Sequence, residues 1–370
     1  MSDNGRIAVL LYRLRFGGAE RVMLTISEEL ARRGYEVDLV TFDAEGEFAE
    51  KVPENVGLYD LRSLGIIRAA RKISEYLAAR SPSAIIANGD RCALASFLAR
   101  KPRSRESTRI IAVVHHDLTG VLGLPGTSAK DRFLAWGKKF PMSRVYRQVD
   151  EIAAVSEGAA ASVINFLGVP RDKISVIYNP VPVDEIRELA SHAANHPWFA
   201  DGAPPVIISC GRLTPHKDFG TLIRAFALLR REMPSRLVIL GEGREREKLE
   251  ALICSLGLED CAALFGFEKN PYKYIARSRL FALSSICEGF SMVITEAMAL
   301  GIPVVSTDCP SGPAELLANH TDMLVPVRDP DSLAAAMKKG LEIGQWENDL
   351  SRFTVANCAD RYISLISRNL

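Results

Sequence analysis

Short, nearly uninterrupted apolar runs alternate along this chain with stretches whose apolar residues recur every three or four positions. That alternation limits the fold more than any other feature. The runs cover residues 7–12, 36–42, 84–87, 110–115 and 151–155, then 205–210, 236–240, 262–265, 280–283 and 303–306. Segments 19–33, 67–80, 218–232, 245–256 and 291–300 carry the helical spacing. A strand that is apolar at almost every position is buried on both faces, which calls for parallel strands joined by helical crossovers. The expected fold class is α/β, with two doubly wound domains.

The two series part at Tyr178-Asn179-Pro180-Val181-Pro182-Val183-Asp184, where two close prolines resist both helix and central strand. The expected organisation is an N-terminal domain over 1–179, a linker over 180–204 and a C-terminal domain over 205–348. A last helical stretch over 349–370 would pack back on the first domain. Two such domains bind ligand at the carboxyl ends of their strands, in the cleft between them.

A formal net charge of +1 gives no general attraction to nucleic acid. The seven cysteines are scattered, without paired spacing or nearby histidines, as reduced thiols of a cytoplasmic protein are. No apolar run reaches the ~18 residues that cross a bilayer, so any membrane contact is peripheral. One segment mixes cations with aromatics, from Lys130 through Trp136 and Phe140 to Arg147. It reads as a membrane-surface element or as a solvated helix face, and Pro141 is expected to interrupt any single helix there.

The polar motifs fall where strands end. Leu14-Arg15-Phe16-Gly17-Gly18-Ala19-Glu20-Arg21 follows the first strand and opens a helix, where adjacent glycines let the backbone approach an anion or simply make the turn. It is neither a dinucleotide fingerprint nor a P-loop. His115 and His116 close the strand over 110–115, and alternation sends them to opposite faces. Gly211, Arg212 and Lys217 follow the first strand of the second domain, a planar fork and a point charge suited to a diphosphate. Gly241 and Gly243 flank Glu242 at the next strand end, leaving room for a base or ribose or serving the turn. Glu288-Gly289-Phe290-Ser291-Met292 then leads into a helix carrying Glu296. Its free N–H groups and dipole face an anion, and the acid can accept paired hydroxyls. Asp329-Pro330-Asp331 has the form of an acidic metal pair but suits a helix N-cap better.

In this order the motifs resemble the retaining glycosyltransferases of family 4, whose fold is GT-B, two Rossmann-like domains. Two glutamates with seven residues between them, Glu288 and Glu296, carry the most specific part of the likeness. The resemblance implies that Arg212 and Lys217 hold the donor diphosphate, that Glu296 takes the ribose hydroxyls and that Glu288 lies beside the donor sugar. It implies a backbone cradle at Phe290, Ser291 and Met292, a main-chain contact from Gly18, and contact of His115 with the sugar. Gly17, Gly211, Gly241, Gly243, Phe267 and Gly289 complete the implied donor set, and Arg15 and His116 are assigned to the acceptor. His115, Glu288, Arg212 and Lys217 are the implied catalytic group. No cofactor and no metal are expected. The implied reaction is retaining transfer of a hexosyl unit from a nucleotide sugar, UDP-linked by family habit, to a glycan or lipid-linked saccharide. The segment Ser306-Thr307-Asp308-Cys309-Pro310-Ser311-Gly312-Pro313 resembles loops of bacterial enzymes that build such glycans. A sugar phosphorylase, a nucleotide-sugar epimerase and a non-catalytic nucleotide-sugar or glycan-binding protein are the competing readings. The expected location is the cytoplasm, with contact at the inner face of the membrane.

Overall fold

The structure, a computed structural model, describes residues 5–15, 17–100, 108–118, 129–344 and 346–368, without the side chains of 129–138. It divides into two compact units, one formed by residues 1–180 and 351–370, the other by residues 181–350. Unit 1 runs β1 (Arg6–Arg13), α1 (Gly18–Arg32), β2 (Glu36–Asp43), β3 (Gly57–Asp60), α2 (Ile66–Arg80) and β4 (Ala84–Asn88). It continues with α3 (Asp90–Ala99), β5 (Arg109–Val114), α4 (Ala129–Gln148), β6 (Glu151–Ala154), α5 (Glu157–Ser162) and β7 (Ile174–Val176). Unit 2 runs α6 (Val183–Ala190), β8 (Val206–Cys210), α7 (Phe219–Arg230), β9 (Arg236–Leu240), α8 (Arg246–Ser255), β10 (Ala262–Gly266) and α9 (Tyr272–Ile275). Then come β11 (Leu280–Leu283), α10 (Met292–Ala299), β12 (Val304–Thr307), α11 (Pro313–Leu316), β13 (Leu324–Val325) and α12 (Pro330–Glu342), and α13 (Val355–Ser367) returns to unit 1.

Both sheets are parallel, in the order β3-β2-β1-β4-β5-β6-β7 and β10-β9-β8-β11-β12-β13. Each order reverses direction once, at β1/β4 in unit 1 and at β8/β11 in unit 2. Loops leaving the two strands at such a point diverge to opposite faces and open a crevice at the carboxyl ends. The central strands explain the apolar runs, since Ile7, Val9, Leu11, Ile207, Ile208, Phe281 and Ala282 are all fully buried. In unit 2, α7 and α12 cover one face through Leu222, Phe226, Leu333 and Met337. Gly340 lets α12 sit close, for a Cβ there would stand 2.6 Å from Leu280 Cδ1.

Two expectations need correction. The 180–204 segment is no mere linker: Val181 onward belongs to unit 2, and α6 buries Ile186 and Ala190 against α9 and α10. Pro180 and Pro182 precede the first helical turn, where a missing N–H costs nothing, so they start this helix rather than exclude one. Pro141 does not end a helix either. α4 continues through it, because one lost rung leaves the ladder on either side intact. The side chains of Lys130 through Lys138, Trp136 among them, lie outside the described residues, as does Phe16 of the first loop.

Candidate active site

In unit 2 the loops that leave β8, β9 and β10 are laced by backbone hydrogen bonds. Gly211 N–H donates to the Leu240 carbonyl at 2.9 Å, Leu213 N–H to Glu242 at 2.8 Å and Gly241 N–H to Gly266 at 2.7 Å. A Cβ on Gly241 would stand 1.9 Å from the Gly211 oxygen, and one on Gly243 2.3 Å from that of Leu213. These two glycines admit a neighbouring loop, which is the turn-making reading of their sequence. Gly211 serves the site more directly. A Cβ there would crowd Lys217, 3.3 Å from its Cε, so the lysine stem lies across the bare glycine.

Lys217 closes the 3-10 turn Pro215–Lys217 and points at the loop after β11. Its Nζ donates to Glu288 Oε1 at 2.6 Å, with only 16% and 10% of the two side chains exposed. Ser285 Oγ donates to the same oxygen at 2.6 Å. The backbone holds these partners in place: Ser284 Oγ donates to the Lys217 carbonyl at 2.9 Å, Ile286 N–H to that of His216 at 2.8 Å, and Thr307 Oγ1 to that of Ser285 at 2.5 Å. Two loops from either side of the strand-order reversal thus meet in one ion pair. Burial, then the Lys217 charge, holds the His216 imidazole below its usual range, so this neighbour stays neutral near pH 7.

The Glu288 loop runs directly into α10. Ser291 occupies the N-cap, buried, and its Oγ has no hydrogen-bond partner among the described residues. Ser311 Oγ, on the loop lying against it, is also buried without one. Gly312 permits that approach, with φ +96° and a virtual Cβ 3.4 Å from Ser291 N. Phe290 is buried below the turn. Further along α10, Glu296 is only 6% exposed and accepts from the Tyr272 hydroxyl at 2.9 Å. Arg212 is exposed and forms no ion pair among the described residues; Phe267, on the loop after β10, is 56% exposed.

Unit 1 places its candidates at its own strand ends. His115 Nε2 pairs with Asn88 Oδ1 in a short hydrogen bond. With the amide oxygen accepting, Nε2 carries the proton and Nδ1 the lone pair. Burial, and then neighbouring His116, push the His115 pKa down to about 3, so the ring is neutral at physiological pH. His116 is exposed. Gly17 caps α1 in extended conformation, and Gly18 and Arg15 are exposed beside it. The Glu20 carboxylate folds back over Gly17, 2.1 Å from where a Cβ would stand, so this helix terminus already faces an acid. Asp329 is a helix cap, accepting from Ser332 N–H at 3.0 Å and Ser332 Oγ at 2.6 Å.

Three residues absent from the sequence-based set touch it here: Asn88, Ser285 and Tyr272. Asn88 had a readable signal, being the first polar residue at the end of a buried strand beside the reversal. Tyr272 had none, since it joins Glu296 from 24 residues away.

Two family models match the chain, one described as Glycosyltransferase Family 4 over residues 16–185, the other as Glycosyl transferases group 1 over residues 194–354. A Campylobacter jejuni protein, N-acetylgalactosamine-N,N'-diacetylbacillosaminyl-diphospho-undecaprenol 4-alpha-N-acetylgalactosaminyltransferase, is 36% identical over 215 residues. That match takes in 58% of this chain and 56% of the relative, so the chain spans little more than half of that relative's length. A solved glycosyltransferase from Rickettsia africae superposes with a TM-score of 0.79 at 16% identity, covering 98% of both chains. Anabaena HepE, crystallised with UDP and glucose, gives 0.71 at 22% identity over 97% of this chain and 95% of that one. Likeness at these identities fixes the fold, which is GT-B.

Proposed function

We infer, from the premise that the chain belongs to the group 1 and family 4 glycosyltransferases, that it moves a hexosyl unit from a nucleotide sugar to a glycan or lipid-linked saccharide. The observation that carries this reading is the part-buried cluster of Lys217, Glu288 and Ser285 at the foot of α10, in the strand-order reversal of unit 2. It offers a cation, an acid and a helix N-terminus within one loop system, and the hydroxyls of Ser291, on that turn, and Ser311, on the loop against it, have no partner among the described residues.

Cleaving a glycosyl–phosphate bond builds negative charge on the departing diphosphate. Lys217, Arg212 and the N–H groups at the start of α10 are the groups to stabilise it, and they can do so without a metal. Glu288 accepts hydroxyls of the transferred sugar, and Glu296 those of the ribose. Neutral His115 offers a hydrogen bond to the sugar rather than a charge, and Arg15 and His116 are assigned to the acceptor. Retention through attack on the same face is our reading of the stereochemistry, with the leaving phosphate oxygen taking the acceptor proton. UDP is the nucleotide we assign, supported by the UDP held by the HepE protein of the same fold. A lipid-linked acceptor is supported by the diphospho-undecaprenol in the name of the Campylobacter relative.

No described helix is long and apolar enough to cross a membrane. Access to a lipid-linked acceptor at the cytoplasmic membrane surface would then be peripheral. Phe140, 81% exposed, and exposed Lys139, Arg144 and Arg147 form the element we assign to it.

The test follows radiolabelled sugar from a panel of nucleotide sugars into undecaprenyl-diphosphate-linked saccharides. Labelled lipid product, formed with the anomeric configuration of the donor, is the expected result. Donor isomerised without an acceptor would indicate an epimerase, phosphate-dependent turnover a phosphorylase, and donor binding without turnover a binding protein. Each of these overturns the reading.

A further inference from the structure

We propose that Tyr272 is a positioning residue which aims the Glu296 carboxylate at the nucleotide's ribose, and so sets a preference for ribonucleotide over deoxyribonucleotide donors. The proposal rests on the assignment of Glu296 to the ribose made above. Its geometry stands by itself: the Tyr272 hydroxyl donates to Glu296 Oε1 at 2.9 Å, with the two residues 4% and 6% exposed. A carboxylate buried so deeply requires hydrogen-bond donors, and this one is drawn from another element.

That element is firmly held. Asn270 Nδ2 donates to the Leu189 carbonyl at 2.8 Å, and Asn270 N–H donates to Glu268 Oε1 at 3.0 Å. Pro271 then starts α9 with Tyr272 as its first residue. The helix that anchors Asn270, α6, also packs on α10, and Arg187 Nε donates to the Ala299 carbonyl at 3.4 Å. Tyrosine and glutamate are therefore fixed against the same support. A free glutamate has three rotatable side-chain bonds, and freezing them only when ligand arrives weakens binding. The phenol freezes them beforehand. A carboxylate accepts at about four lone-pair sites, and the phenol takes one of them.

Tyr272→Phe removes one oxygen and keeps the buried ring. Calorimetry on the full chain would compare UDP with 2′-deoxy-UDP, with GDP and ADP alongside. The expected wild-type result is tighter binding of UDP, and Tyr272→Phe should lose about tenfold on UDP while bringing the UDP to 2′-deoxy-UDP ratio toward one, the size of one hydrogen bond to a charged group. In turnover, KM for the donor should rise while kcat changes little. Glu296→Gln should lower the same ratio, and the double variant should lose no more than Glu296→Gln alone. A variant that melts lower yet keeps the wild-type ratio, or losses that add in the double variant, would make Tyr272 a structural brace and overturn the proposal. Wild-type protein that binds UDP without ribose preference removes the role from Glu296 and the proposal with it. Wild-type protein that binds no nucleotide at all overturns the functional reading first.

Discussion

Replacing Lys217 by methionine keeps most of the stem lying across Gly211 and removes the charge. Glu288 would then stand 10% exposed with its cation gone. At 2.6 Å the pair's gross Coulomb attraction is about 6 kcal/mol for an effective dielectric near 20. Desolvation of both ions offsets much of that, and the Ser285 hydroxyl remains on the same oxygen. With exposures between those of surface and fully buried pairs, the net loss should be about 2 kcal/mol, or roughly 4–8 °C in the melting temperature of a unit this size. Turnover should fall further, by about 10²–10³, because in the proposed reaction the lysine's charge also stabilises the departing diphosphate. The double variant Lys217→Met/Glu288→Gln separates the two roles. Without a stranded carboxylate, its melting temperature should return most of the way to wild type while turnover stays low. Calorimetric melting with donor-dependent transfer is the assay. Equal melting temperatures for single and double variants, or single-variant turnover within about threefold of wild type, would refute the reasoning.

Gly241→Ala should destabilise unit 2 by about 3 kcal/mol or more, because its Cβ would meet the Gly211 carbonyl at 1.9 Å; urea unfolding checks it. His115 titrates near 6.5 when unfolded and about 3 when folded, so below pH 6.5 the unfolded chain binds a proton that the folded chain does not. Stability should therefore be fully present above pH 6.5 and fall as pH drops toward 3. His115→Gln should remove that component, seen as a shallower loss in urea melts between pH 6.5 and 4. Deleting residues 351–370 should leave unit 1 aggregation-prone, since Phe353, Tyr362, Leu365 and Ile366 are buried there and each contributes about 1.5–3 kcal/mol. Light scattering of the truncated protein tests this.

Much of the fold was legible because it rests on local periodicity. The ten apolar runs all became strands to within a residue or two, and residues 291–300 enclose α10. The strands that escaped notice lack that signature. β3 is an edge strand exposed at Gly57, Leu58 and Tyr59, while β7 and β13 are only three and two residues long. The helix α6 hid behind prolines that break a helix interior but open a helix end. At the site, residue types were readable and their partners were not. Gly241 and Gly243 looked the same whether a ribose or a peptide backbone occupied the space beside them, and it is backbone.

By itself, the sequence determined that strands are buried on both faces, that helices connect them, and that cations, acids and glycines stand at strand ends. Each of these follows from spacing within a dozen residues. Only the tertiary structure decided that Lys217 meets Glu288 across 71 positions and that Tyr272 meets Glu296. The physical reason for the first is the order β10-β9-β8-β11-β12-β13, which sets β8 beside β11 although two strands and their helices separate them in the chain. For the second it is the packing of α6 on both α9 and α10. No local pattern records which non-consecutive elements become neighbours, and it is between such neighbours that the candidate site is assembled.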